Sequence, residues 1–282
     1  MENYQFLIKG YEHDRLGIGN IFKCLISALS INDDVKIVCV PEYMYGAYDT
    51  ILDDRFIFNP TQITTKELIR IYTCRFLLLY YEEDIQQDLP NEEVTMDPIH
   101  PTLFHWYFSK RKKIDWYYDP SLVHPQIRDR ILGSMDKIRW KPIVMETVDL
   151  WHKAFSSRVS LGLSIRTWTA SHEINIARPY SSDVYKEKIE QVLSEHPEIE
   201  TIVISIDQPN QLHGYITYLS MKYPACSIVI LSHLSHLNPI QYAVTKAFTL
   251  SRCNYFIGNR ISTFSELVYW FGRCKSVVYP VY

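Results

Sequence analysis

Three short stretches of the chain carry residue types that bind phosphate oxygens. Arg166 closes the apolar run of residues 159–165, Asp207 closes a second run at 201–206, and Ser262-Thr263-Phe264-Ser265 opens an apolar helical pattern. The planar fork of an arginine meets two oxygens of a diphosphate at once. A helix start exposes N–H groups that have no partner within the helix and carries partial positive charge, so a Ser/Thr-rich turn there accepts an anion. A carboxylate after a strand either caps the next helix or orients a neighbouring arginine. Each stretch also has a plainer reading: a surface ion pair for Arg166, a cap for Asp207, and a capping turn for Ser262. Taken together they put an arginine, a carboxylate and a set of hydroxyls at the tips of three strands.

A fourth stretch, Arg15-Leu16-Gly17-Ile18-Gly19-Asn20, lies between the strand pattern YQFLI and the helical pattern IFKCLISALSI. Gly17, Gly19 and Asn20 can form a phosphate cradle or a tight turn, and the third glycine of a dinucleotide fingerprint is missing. No Asp-x-Asp stands at a strand end. Asp33-Asp34 and Asp53-Asp54 read as turns, and His233-Leu234-Ser235-His236 reads as a solvated loop, so no metal and no cofactor is expected.

The elements that position these residues follow from apolar periodicity. The first half opens strand, loop, helix, and continues with strand patterns at 35–40, 55–59 and 74–81 and a helical pattern in TTKELIRIY. Between about Glu82 and Pro120 the chain is acidic, Pro-bearing and aromatic, with Trp106 and Trp116 among candidate sugar-stacking side chains; packing of a loop-rich region explains the same aromatics. Two helical patterns lead into the second half, where strand and helix alternate. There the strands at 159–166, 201–207, 227–231, 255–259 and 276–282 are separated by helices, the first with Ser181 or Ser182 as N-cap and the second with Pro209 near its start. Continuous apolar strands of this kind indicate a parallel sheet covered on both faces, and ligands of such sheets bind at the carboxyl ends of the strands. The expected organisation is a pair of α/β domains, 1–155 and 156–282, with a cleft between them.

Composition bounds the partners. The 282 residues are 47% hydrophobic with a net charge of −3. Acidic and basic residues are mixed, which gives no electrostatic reason for nucleic acid or an anionic membrane as the main partner. The basic cluster Lys110–Lys113 reads as a solvated turn. The six cysteines have no CxxC spacing and lie mostly in apolar segments, which fits reduced thiols in a cytosol-like compartment. The first residues lack the charged and apolar regions of a signal peptide, and no apolar run approaches the ~20 residues of a membrane span. A soluble cytoplasmic protein is therefore expected.

The segments GIGNIFKCLISAL, SIRTW, ISIDQP and LSRCNYFIGNRISTFSELVYW, in this order and spacing, resemble the fucosyltransferase superfamily that includes core α1,6-, nodulation and protein O-fucosyltransferases. The resemblance covers the N-terminal loop and most of residues 159–272. It implies a GT-B fold, two Rossmann-like domains facing across a cleft, the first on the acceptor side and the second binding a nucleotide-sugar. By the same resemblance Arg166 is the diphosphate-binding arginine, Ile206-Asp207-Gln208-Pro209 the acidic turn, and Ser262, Thr263, Phe264 and Ser265 the donor-binding turn. Gly17, Gly19 and Asn20 fall on the glycine-rich first loop that approaches donor and acceptor. Glu173 lies within one residue of the general base of the α1,6 enzymes, with His172 beside it on the acceptor side.

Two departures bear on the donor. Ser164 stands where the family has His, with the second Arg and the Asp of the same motif also lost, and Lys246 stands where it has Asp. In the α1,6 enzymes that His and Asp help hold guanine, whose N1–H and amine require acceptors; lysine offers three donors and no acceptor. The implied activity is inverting, metal-independent transfer of one sugar from GDP-fucose, or from a UDP-sugar such as UDP-xylose or UDP-galactose, to a hydroxyl of a glycan. The degraded first motif also fits a non-catalytic carbohydrate-binding protein on a decayed transferase scaffold.

Overall fold

A computed structural model describes residues 6–8, 18–29, 35–38, 48–58, 125–167, 181–232, 234–259 and 262–281. They fall into two compact units, one drawn from Met1–Ile143 with Asn238–Gln241 and the other from Val144–Leu237 with Tyr242–Tyr282.

In the first unit, β1 (Phe6–Ile8), β2 (Val35–Val38) and β3 (Ile57–Phe58) form a parallel sheet in that order. Helix α1 spans Ile18–Leu29. Its buried stripe is Ile18, Phe22, Leu25, Ile26 and Leu29, the spacing of one helical face. The apolar period thus begins at Ile18, and Gly19 and Asn20 stand in the first helical turn, not in the preceding loop as their glycine content suggests. Helix α2 (Pro125–Lys137) packs along α1, with its proline at the first helical position, where a missing N–H costs nothing. Phe22 meets the Trp140 ring at 5.0 Å between centroids and Tyr48 edge-on at 6.4 Å.

Helix α3 (Pro142–His152) leads into the second unit. There β4 (Ser160–Ile165), β5 (Thr201–Ile206), β6 (Ser227–Ile230), β7 (Tyr255–Asn259) and β8 (Val277–Val281) form a parallel sheet in the order β6-β5-β4-β7-β8. The helices between them are α4 (Ser182–Glu195), α5 (Pro209–Lys222), α6 (Pro239–Leu250) and α7 (Thr263–Phe271). Every residue of β4 is buried, Ser160 and Ser164 included, as expected for a central parallel strand. Leu161, Leu163 and Ile165 share one core with Ile202, Ile204, Tyr185, Ile189 and Leu219, which places α4 and α5 on one face. On the other face a Cβ at Gly162 would lie 3.1 Å from Cys253 Sγ and 3.3 Å from Leu250 Cδ2, so the end of α6 closes directly on the strand. Burial of Cys253 there pushes its thiol up to about 12, which keeps it protonated and unreactive.

Candidate functional site at the carboxyl ends of β4, β5 and β7

The middle strand positions Arg166. Its backbone is clamped by Tyr185 of α4: the Arg166 N–H donates to the tyrosine hydroxyl at 2.9 Å, and that hydroxyl donates to the Arg166 carbonyl at 3.3 Å. Tyr185 is fully buried, so its hydroxyl needs a partner and finds one at the strand tip. Nothing in the spacing of α4 points to this contact beyond a tyrosine on an otherwise aliphatic face.

On one side of Arg166, Asp207 does not cap α5, whose N-cap position belongs to Gln208. Its carboxylate instead accepts the Thr167 N–H at 3.1 and 3.2 Å and the Thr167 hydroxyl at 3.1 Å. This ties the tip of β5 to the residue after Arg166. The sequence reading missed Thr167, because its partner is forty positions away on the neighbouring strand.

On the other side, β7 runs through Asn259 into the start of α7. Ser262 holds the N-cap position with extended backbone, φ −81° and ψ 115°, yet its hydroxyl makes no cap hydrogen bond. The turn is locked otherwise. Ser265 Oγ accepts the Asn259 N–H at 3.1 Å, and the Ser262 carbonyl accepts the Glu266 N–H at 3.1 Å. Ser262 and Ser265 are buried, and Phe264 is half-buried. A Cβ at Gly258 would lie 2.6 Å from Phe256 Cε1 and 2.9 Å from both Ser265 Cβ and Oγ, so glycine alone lets α7 start this close to the strand.

Lys246, on α6, is half-buried with its Nζ 4.4 Å from the centroid of the Tyr242 ring one turn earlier. Tyr242 donates its hydroxyl to the Leu231 carbonyl just past β6 at 2.6 Å and stacks edge-on with Trp151. Desolvation pulls the Lys246 ammonium down to about 8, against the opposing pull of the Asp207 charge. The strand order therefore gathers Arg166, Asp207, Lys246 and the Ser262–Ser265 turn at one end of one sheet. Gly17, Trp106, Trp116, His172 and Glu173 lie outside the described residues. Among the described residues no group of three or more His, Cys, Asp or Glu side chains is arranged to hold a metal, and no helix is long and apolar enough to cross a membrane.

A parallel α/β sheet with an arginine at the tip of its central strand and a hydroxyl-rich helix start beside it defines a class of fold built to take a ligand at that edge. No protein-family model matches the sequence, and no curated protein matches it. Among solved structures, the chain is similar to NodZ α-1,6-fucosyltransferase soaked with GDP-fucose, with a TM-score of 0.55 and 14% identity over 97% of this chain and 93% of that one. It is also similar to POFUT1 in complex with GDP, with a TM-score of 0.52 and 11% identity over 99% of both chains. A variant of Arabidopsis thaliana FUT1 in complex with GDP matches at 0.52 and 10% identity, over 99% of this chain and 70% of that one. The protein has a fucosyltransferase-like GT-B fold.

Proposed function

We propose that the protein is an inverting glycosyltransferase that moves one sugar from a nucleoside diphosphate donor to a hydroxyl of a glycan. The observation that carries this reading is the clamped tip of β4. Arg166 is held by its backbone between the Asp207–Thr167 link and the Ser262–Ser265 helix start, so a guanidinium and a helix N-terminus occur at the tips of adjacent strands. Both are donor groups suited to an anion, and the backbone that carries each is held in place before it arrives. During transfer the bond from the anomeric carbon to the β-phosphate oxygen breaks and negative charge grows on that oxygen. Preorganised donors stabilise such charge most where water is excluded. The acceptor oxygen attacks the opposite face of the anomeric carbon, and its proton passes to a carboxylate, the role proposed for Glu173. No metal is required in this scheme, because Arg166 and the helix start supply the countercharge.

The fold supports a nucleotide-sugar as donor, since the similar structures carry GDP or GDP-fucose. Ser164 and Lys246 replace acceptor side chains that the resembling family offers to guanine, which keeps a UDP-sugar such as UDP-xylose beside GDP-fucose as the donor. The test is a thermal-shift comparison of GDP and UDP, followed by donor turnover in wild type and Arg166→Ala. Loss of a phosphate-oxygen donor is expected to reduce turnover about 100-fold or more. Full activity in Arg166→Ala would reject the assignment, and nucleotide binding with no turnover would leave only a carbohydrate-binding role.

A further inference from the structure

The strongest unexplained group is the Lys246 ammonium. Helix α6 buries Ile240, Val244, Ala247 and Leu250, so Lys246 is carried on a helix whose neighbouring positions are core. Among the described residues no oxygen accepts a hydrogen bond from Nζ; the groups near it are the Tyr242 ring face and the more distant Asp207 charge. A desolvated ammonium with no oxygen acceptor among the described residues is an unfavourable arrangement in a folded chain unless an oxygen from elsewhere completes it.

Its location says where that oxygen comes from. Tyr242, beneath the ammonium, is pinned to the carbonyl just past β6, and among the described residues the carboxylate whose charge reaches Lys246 is Asp207 at the end of β5. Both are at the carboxyl edge of the sheet, and Asp207 is bonded to Thr167, the residue after Arg166. We propose that Lys246 is a specificity-determining residue of the donor site, its ammonium donating a hydrogen bond to an oxygen of the bound nucleoside diphosphate. The proposal rests on the nucleotide-sugar reading above. The oxygen belongs either to a phosphate or to a carbonyl of the base, and the two are separable by ligand.

A consequence distinguishes this role from a structural one. The charged and titratable groups that reach Lys246 among the described residues are Asp207, from the end of β5, and Tyr242, from its own helix. Burial holds the free ammonium near pH 8, and a bound oxygen acceptor favours the charged form. Donor binding therefore takes up a proton at and above that pH, and affinity falls as pH rises.

The test measures binding of UDP, GDP and inorganic pyrophosphate by calorimetry at pH 7, 8 and 9 in buffers of different ionisation enthalpy. Titration of the ligands themselves is common to all variants and cancels in the ratio of wild type to variant. Lys246→Met is expected to weaken the bound nucleotide about tenfold at pH 7, to abolish proton uptake at pH 8, and to bring the ratio toward one at pH 9. Lys246→Arg, which keeps its charge throughout, is expected to bind without proton uptake. If pyrophosphate weakens as much as the nucleotide, the contact is a phosphate oxygen; if only the nucleotide weakens, it is a base carbonyl. Unchanged affinity and proton uptake in Lys246→Met, with wild type binding normally, overturns this inference alone. Failure of wild type to bind UDP and GDP overturns the nucleotide-sugar reading and the inference with it.

Discussion

Lys246 also carries a stability cost, whose sign follows from burial. Its folded-state value lies below the ordinary lysine value, so between about 8 and 10.5 the unfolded chain binds more protons than the folded one. The cost is at full strength below that window and is relieved as pH rises through it. Lys246→Met is thus expected to stabilise the unliganded protein at neutral pH, on the order of 1–3 kcal/mol. The gain should shrink at pH 10, as read by denaturant midpoints. A residue that weakens the empty fold and is proposed to contact ligand fits the usual trade between stability and binding. Arg166 shows the opposite economy at its backbone, where both polar groups are satisfied by Tyr185.

Among the secondary elements, the junction of β7 and α7 is the tightest part of the site. Gly258→Ala places a methyl carbon within 2.9 Å of Ser265 Oγ and within 2.6 Å of Phe256, and neither neighbour is a flexible chain end. The expected result is a loss of about 1–3 kcal/mol in stability by chemical denaturation, with weaker nucleotide binding as the helix start is displaced. The strands and helices of the second unit were legible in the sequence because their signal is local. The run Ser160–Ile165 has no charged residue and alternates Leu, Leu and Ile with small residues, Pro209 marks the start of α5, and Ser181 sits at the N-cap of α4 as its residue type suggests. The destinations of side chains were less legible. A capping turn at Ser262 is what STFSEL advertises, yet the bond is made by Ser265 back to Asn259. Asp207 looks like a cap from its neighbours, and its actual partner becomes a neighbour only once β4 and β5 have paired. The start of α1 was misplaced because two glycines outweigh Ile18 in a local reading, while the buried stripe includes it.

For the whole molecule, one source of acid sensitivity among the described residues is a cluster at the end of the sheet remote from the candidate site. Glu198 accepts from Tyr255 at 2.6 Å and contacts His196, which stacks on the Tyr255 ring at 4.0 Å and hydrogen-bonds Tyr279 at 2.6 Å. The Tyr255 hydrogen bond is the main reason the Glu198 carboxyl lies below its usual value, and a Lys222 contact does the same for Glu190. Carboxyls depressed by folding contribute stability that is intact above about 4.5 and is lost as pH falls through the depressed values. Melting temperature is expected to be level near neutrality and to fall below about pH 4.5, with a shallower fall in Glu198→Gln. Nucleotide affinity at pH 7 should be unchanged in that variant, since the cluster lies at the amino end of β7 and the site at its carboxyl end.

The strand order also governs how the chain reaches its native state during synthesis. β4 is the first strand of its sheet to leave the ribosome and ends at the centre, yet its second neighbour is β7, with Leu161 paired to Tyr255. Until that late segment emerges, one edge of a strand that is buried along its whole length in the native fold stays open to any other extended chain, the circumstance in which nascent proteins aggregate. A chain ending at Asn254 should therefore be recovered in the insoluble fraction to a much greater extent than the full chain expressed beside it. The strand that carries the proposed diphosphate arginine is thus the one that waits through the longest stretch of chain for its second neighbour.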